Sequence, residues 1–258
     1  MKTKEVVNHI VQWLDSYASS AGIEGFVVGV SGGIDSAVTS TLCAMTSKSL
    51  ICVNMPIHQP PSQFDRSNEH IAWLKNNYAN ISGHTVNLTS TFEKMKEDLP
   101  SGIQDELTMA NLRARLRMST LYSFAGNKGY LVAGTGNKVE DFGVGFFTKY
   151  GDGGVDVSPI ADLMKTEVFE IAAYLGVPES IQKAKPTDGL WHDDRSDEDQ
   201  IGATYPELEW AMRYIEKKEE RTLTAREEEV MKIYLSRHRA NKHKMVPIPV
   251  CEIPEELK

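Results

Sequence analysis

Ser31-Gly32-Gly33-Ile34-Asp35-Ser36 combines hydroxyls, glycines and one carboxylate, residue types suited to holding phosphate. Glycine lets backbone N–H groups approach an anion, and a helix that starts there adds partial positive charge. The apolar run of residues 26–30 just before it reads as a buried strand, and Ala37, Val38, Leu42 and Met45 after it recur at helical spacing. Strand, glycine turn and helix in that order is how an α/β protein builds a phosphate site. Lys does not follow the glycines, so the turn is not the G-x-x-x-x-G-K-[ST] loop, and the G-x-G-x-x-G of dinucleotide redox folds is absent. The plain alternative is a Ser/Gly turn that merely closes an α/β unit.

Four further stretches carry chemical potential. NLRARLR (111–117) places Arg113 and Arg117 four residues apart on one helix face, with Arg115 on another. Guanidinium forks suit phosphates, although a solvated basic face paired with acids elsewhere is the plainer account of such a helix taken alone. FFTKYGDGG (146–154) mixes aromatics that could stack on a flat ring, Lys149, Asp152 and glycines that would let it fold over a ligand. Glu140, after GTGNKV, falls just past a predicted strand end on the same rim as Asp35, where two carboxylates could share a Mg²⁺ with phosphate oxygens. His243-Lys244 sits at a helix end, where a favourable dipole contact is the simpler account. None of the seven histidines has zinc-ligand spacing, and no Ser-His-Asp or Cys-His order suggests covalent catalysis.

These groups need a scaffold, and the periodicity supplies one. Val7, Ile10, Val11, Leu14 and Tyr17 predict an amphipathic first helix. Further strands are predicted at 49–55, 84–88 and 130–134, with helices over 66–78 and 104–125 and one opened by a Ser90/Glu93 capping box. Strands alternating with helices imply an α/β fold with a mainly parallel sheet covered on both faces. The glycine-rich segment from 134 to 159 reads as functional loop, and Asp162 reads as the N-cap of a helix that stops at Gly176 and Pro178. A second polar loop, KPTDGLWHDDRS (185–196), precedes a helical C-terminal extension over 208–220 and from Thr224 onward, then a proline-rich tail. The organisation expected is one domain, 1–258.

A chain of 258 residues with 41% hydrophobic and 25% charged residues suits a soluble globular protein with a substantial core. The net charge of −8 disfavours a nucleic-acid partner. Three cysteines without a C-x-x-C pair, no apolar run of 18 residues and no signal-peptide core point to a cytoplasmic protein without membrane contact.

S-G-G-x-D-S resembles the pyrophosphate-binding loop of the ATP pyrophosphatases, which split ATP into AMP and pyrophosphate. With NLRARLR, GTGNKVE, FFTKYGDGG, KPTDGLW and HK in order, nearly the whole chain resembles the ammonia-dependent NAD synthetases. The resemblance implies an adenine nucleotide alpha hydrolase-like fold. It also implies adenylation of the carboxylate of nicotinic acid adenine dinucleotide (deamido-NAD) by MgATP, followed by displacement of AMP by ammonia. It assigns ATP binding to Gly29, Ser31, Gly32, Gly33, Asp35, Ser36, Arg115, Thr135, Lys165 and Thr187. Substrate binding falls to Arg115, Lys149, Asp152, Asp156, His243 and Lys244, the metal to Asp35 and Glu140, and catalysis to Asp35, Glu140 and Lys165. Relatives of this kind are homodimers, so a homodimer is expected. Some carry an Arg before the Pro that follows the second strand, where this chain has Asn54-Met55-Pro56. Rival readings are another amidating or thiolating ATP pyrophosphatase, against which FFTKYGDGG speaks, and a nucleotide sensor without turnover, which would not need both Asp35 and Glu140.

Overall fold

The computed structural model describes residues 1–185, 196–218 and 220–258. Four strands, β1 (Gly25–Gly29), β2 (Ser49–Asn54), β3 (Ile81–Thr85) and β4 (Leu131–Val132), form one parallel sheet in the order β3-β2-β1-β4. Val27 of β1 sits opposite Ile51 of β2 on one side and Val132 of β4 on the other. The helices in chain order are α1 (Thr3–Ser20), α2 (Ile34–Ala44), α3 (Pro61–Asn77), α4 (Thr89–Asp98) and α5 (Glu106–Lys128). Then follow α6 (Lys165–Leu175), α7 (Glu179–Gln182), α8 (Asp197–Ile201), α9 (Tyr205–Lys217) and α10 (Ala225–Met245).

Strand alternation sorts the core into two layers. Phe26 and Val28 of β1, with Leu50 and Cys52 of β2, face α1, α2, α3 and α6. Val27, Ile51 and Val53 face the other way, against Phe92 of α4 and Met109, Met118 and Leu121 of α5. Both faces of the sheet are therefore covered, as the apolar strands require. A third cluster joins Val139 and Val144 to Leu208 and Met212 of α9 and to Val230 and Tyr234 of α10, which seats the helical extension on the loop after β4.

Several element boundaries differ from expectation, each for a local reason. The third strand is Ile81–Thr85 rather than 84–88, because its partner β2 ends at Asn54, opposite Thr85, just before Pro56. The fourth shrinks to Leu131–Val132, after which Ala133 makes only an isolated parallel bridge to Val157. α3 starts at Pro61 rather than Arg66, since the first helical position needs no N–H donor. The Ser90/Glu93 capping box does not form: the N-cap is Leu88, two residues earlier, and Glu93 instead pairs with His58 Nε2 at 2.6 Å. Asp162 is not an N-cap either; it faces Lys138 Nζ at 3.4 Å, while Met164 opens α6 with Glu167 accepting its N–H at 2.8 Å. The Thr224/Glu227 box is present at the start of α10, and Gly176 ends α6 with φ +70°. Inside the segment read as loop, residues Val139–Val144 form a π-helical turn. No described helix is long and apolar enough to cross a membrane.

Candidate active site

The sheet order reverses at β1: the chain moves outward through β2 and β3, then returns to β4 on the other side. Crevices at such switch points, beyond the carboxyl ends of the strands, are where ligands bind in open α/β sheets. The Ser31–Ser36 turn stands there. Gly32 has φ +81°, and a Cβ on it would lie 2.7 Å from Gln63 O, so only glycine fits. The turn is braced from within: Ser31 N donates to Ser36 Oγ at 3.2 Å, Gly33 N to Ser31 Oγ at 3.2 Å, and Ser36 Oγ to Gly33 O at 2.9 Å. In α2 the bond from Ala37 N to Gly33 O, 3.2 Å, closes the first turn. The N–H groups of Ile34, Asp35 and Ser36 thus stand at an open helix N-terminus, pre-aimed for an anion.

Facing that turn is a buried ionic cluster. Lys165 Nζ, at the start of α6, donates to Asp35 Oδ2 at 2.6 Å and to Glu140 Oε1 at 2.9 Å. Asn137 Nδ2 donates to Asp35 Oδ1 at 3.0 Å, and its own Oδ1 accepts the N–H groups of Val139 and Glu140, both at 3.1 Å. The Tyr205 hydroxyl donates to Glu140 Oε1 at 2.5 Å. Burial pushes the Asp35 carboxyl up, with Lys165 pulling against it. Burial also opposes ionisation of Glu140, but Lys165 and the Tyr205 hydroxyl outweigh it and hold this carboxyl below the usual range. For Lys165 burial is likewise outweighed by the two carboxylates, which hold the ammonium above the ordinary lysine range. The cluster is one cation between two anions.

One cavity brings most of the sequence-predicted residues together. Gly29, Ser31, Gly32, Gly33, Asp35, Ser36, Thr135, Glu140, Asp152 and Lys165 all line it. Its apolar wall is Met55, Met118 and Leu121, a surface suited to a flat base. Thr187 lies outside the described residues, as does most of the 185–196 loop.

The remaining predicted residues do not line this cavity. Arg115 is exposed on α5, its Nε donating to Lys149 O at 3.3 Å, and Lys149 Nζ donates to His243 O at 3.0 Å. Lys244 Nζ bonds the carbonyls of Gly145 and Phe147, the latter at 2.6 Å, and lies over the Phe147 ring. Asp156 accepts Val132 N at 2.8 Å and the Tyr122 hydroxyl at 2.9 Å. The three arginines of 111–117 separate accordingly. Arg113 is buried over the Phe92 ring at 4.6 Å, Arg117 bonds Met55 O at 3.0 Å and Gln59 Oε1 at 2.8 Å beside the cavity, and Arg115 faces outward.

Sequence reasoning missed Asn137, Arg66, Arg117 as a cavity residue, and Tyr205. Asn137 carried a signal, three residues before Glu140 in a glycine-bearing turn where a side-chain amide can cap the next N–H groups. Tyr205 carried none, since it opens α9, 65 residues along the chain from Glu140.

The donor set accommodates a hard divalent cation only in company. Mg²⁺ is commonly held by one or two carboxylates plus substrate phosphates. Among the described residues there is no group of three metal-binding side chains. Asp35 and Glu140 therefore fit Mg²⁺ arriving with a phosphate ligand; Lys165 and Tyr205 both engage Glu140 through Oε1, which leaves Oε2 outside those bonds.

The chain is similar to known proteins along nearly its whole length. A family model described as NAD synthase matches residues 6–247. The NH3-dependent NAD(+) synthetase of Carboxydothermus hydrogenoformans is 42% identical over 80% of this chain and 84% of that protein. That of Methanosarcina acetivorans is 35% identical over 98% of this chain and 100% of that protein. Among solved structures, NMN synthetase from Francisella tularensis superposes with a TM-score of 0.84 at 31% identity, covering 99% of each chain. With the model matched over nearly its whole length, the chain belongs to the NAD synthase family.

Proposed function

We propose that this NAD synthase amidates deamido-NAD with ammonia at the expense of ATP, the final step of NAD formation, releasing AMP and pyrophosphate. The observation that carries the reading is the Asp35–Lys165–Glu140 cluster set against an open helix N-terminus at the sheet's switch point. In a family whose members make NAD, that arrangement serves adenylation. The adenine would lie on Met55, Met118 and Leu121, with the phosphates on the Ser31–Ser36 turn. One oxygen of the nicotinate carboxylate attacks the α-phosphorus, and the bond to the β-phosphate breaks. The departing pyrophosphate is stabilised by the turn's N–H groups and by Lys165. Ammonia then attacks the acyl carbon, the acyl–oxygen bond to AMP breaks, and the amide loses a proton to water. Mg²⁺ bound by Asp35 and Glu140 together with the phosphates would supply further neutralisation of their charge.

The substrate half extends outside the cavity. Arg115, Lys149, His243 and Lys244 form a chain of contacts along the 146–154 segment, and Asp156 sits at the end of β4. We assign them to the dinucleotide, at a surface completed by a second copy of the chain. Leu107 and Tyr122, exposed on α5, support a homodimer there. The working unit is the whole chain, 1–258, because Tyr205 of the helical extension bonds Glu140 of the sheet domain. Its compartment is the cytoplasm, consistent with free thiols at Cys43, Cys52 and Cys251.

A second reading has one observation in its favour: the superposed Francisella protein is an NMN synthetase. Its substrate would be the acid mononucleotide, which lacks the adenylate half. The test is a product assay with ATP, Mg²⁺ and ammonium, offered either acid. NAD and AMP from the dinucleotide support the proposal; turnover of the mononucleotide alone selects the second reading; no AMP with either acid rejects both.

A further inference from the structure

We propose that Arg66 binds the outer phosphoryl groups of ATP, and the pyrophosphate they become, at this site. The inference rests on the cavity being the ATP site. Arg66 lines that cavity from α3, half-buried, and its Nε donates to Gly32 O at 3.3 Å, on the turn itself. A guanidinium has five N–H donors. Arg66 spends only the Nε–H in this bond and, among the described residues, forms no ion pair, so its two Nη groups are available to a ligand. Arg117, by contrast, is tied to Met55 and Gln59, and Lys165 is held between two carboxylates.

The mount is rigid. Gln63, Arg66, Ser67 and His70 share one face of α3 by their three- and four-residue spacing, and that face packs on the turn and on α2. Gln63 O and Ser67 N lie 2.7 and 3.1 Å from where a Cβ on Gly32 would stand, and His70 Nε2 meets Ser40 Oγ of α2 at 2.9 Å. A fork fixed at Gly32 is placed for the phosphates seated on the turn rather than for the base, which belongs at the Met55 wall. Planar guanidinium also matches phosphate oxygens in pairs, which an ammonium cannot do.

Calorimetric titration of the purified full chain with inorganic pyrophosphate, ATP and AMP tests this, using R66A and R66K beside the wild type. R66A should weaken pyrophosphate and ATP by roughly 10- to 100-fold, the range for a lost charged hydrogen bond, and leave AMP within about twofold. R66K should recover part of the loss. Unchanged pyrophosphate and ATP affinity in R66A, or a parallel loss of AMP, overturns the proposal, the second outcome marking a packing role. If R66A does not fold, R66K decides: weakened pyrophosphate with normal AMP supports it, and wild-type pyrophosphate affinity rejects it. Wild-type protein that binds neither ATP nor pyrophosphate would instead defeat the reading of the cavity, and this inference with it.

Discussion

Lys165 reaches back 130 residues to Asp35 and 25 to Glu140, and holds both carboxylates in a buried site. Removing different members of this trio has different consequences. Asp35→Asn keeps one anion for the ammonium and an amide for Asn137, so the fold should survive, with a melting midpoint within a few degrees of wild type. Turnover should fall by about 10²- to 10³-fold, as when a preorganised electrostatic group is lost. Lys165→Met instead leaves two carboxylates facing each other without a cation, which costs on the order of 3–5 kcal/mol. Denaturant unfolding of the two variants should rank them in that order, and near wild-type turnover in Asp35→Asn would remove Asp35 from the mechanism. His70 offers a second measurable effect. Ser40 has one hydroxyl proton, directed at Ser36 O at 2.7 Å, so His70 donates its Nε2–H to Ser40, while its Nδ1 is buried without a partner among the described residues. Burial pushes its pKa down to about 4. Between about 4 and the unfolded value near 6.5 the unfolded chain binds a proton that the native state does not. The stability contributed by the neutral ring is present above that window and is lost as pH falls through it, at most about 1.4 kcal/mol per unit. His70→Gln should flatten the stability–pH slope between pH 6.5 and 4.5 in denaturant titrations, and an unchanged slope would mean that other groups set it.

At the scale of elements, Lys244 at the end of α10 clamps the 146–154 segment through the carbonyls of Gly145 and Phe147. Asn241 Nδ2 adds a bond to Val144 O at 2.9 Å. These side-chain bonds tie the stretch to α10, beside its own bonds from Gly151 N and Gly153 N to Thr148 O and from Thr148 N to Asp152 Oδ1. Lys244→Met should therefore raise amide hydrogen exchange over residues 143–154 by at least about tenfold, since both charge-assisted bonds are lost. Exchange in β1 and α2 should not change, and equal exchange in both proteins over 143–154 would show that the clamp contributes nothing. The helices' own signals explain how much of this was legible beforehand. β1 and β2 were readable because buried parallel strands are continuous apolar runs, and α10 because Thr224 and Glu227 complete a local box. β3 was misplaced because it lies at a sheet edge, where ISGHT shows no apolar face. Ser90 failed as a cap because His58, from a different element, draws Glu93 away. In the site, Asp35 and Glu140 stood out in the sequence and Lys165 came with the family resemblance, whereas Tyr205 and Arg66 act only through tertiary approach, which spacing does not encode.

For the molecule as a whole, topology and the state of its thiols together favour one chemical route. The switch point puts phosphate donors, a cation and two carboxylates on one rim, where the Ser31 and Ser36 hydroxyls brace the turn and both carboxylates pair with Lys165. Cys43 and Cys52 are fully buried; burial holds the Cys43 thiol far above its ordinary range and pushes that of Cys52 up to about 12, so neither forms a thiolate at neutral pH. Cys251 is exposed in the C-terminal tail and does not line the cavity. In the proposed reaction the attacking atom therefore comes from the substrate, as its carboxylate oxygen. A carboxylate attacking the α-phosphorus gives an acyl adenylate, AMP and pyrophosphate; attack at the γ-phosphorus would give an acyl phosphate and ADP. With the pyrophosphate end on the Ser31–Ser36 turn, as proposed above, the first route is the one expected. Deamido-NAD carrying ¹⁸O in both carboxylate oxygens should therefore pass one label to AMP, keep one in the amide of NAD, and yield no ADP. Mass spectrometry of the nucleotides after a single turnover reads this directly. Label in inorganic phosphate, with ADP beside it, would mean that the turn binds a different part of ATP than the pyrophosphate.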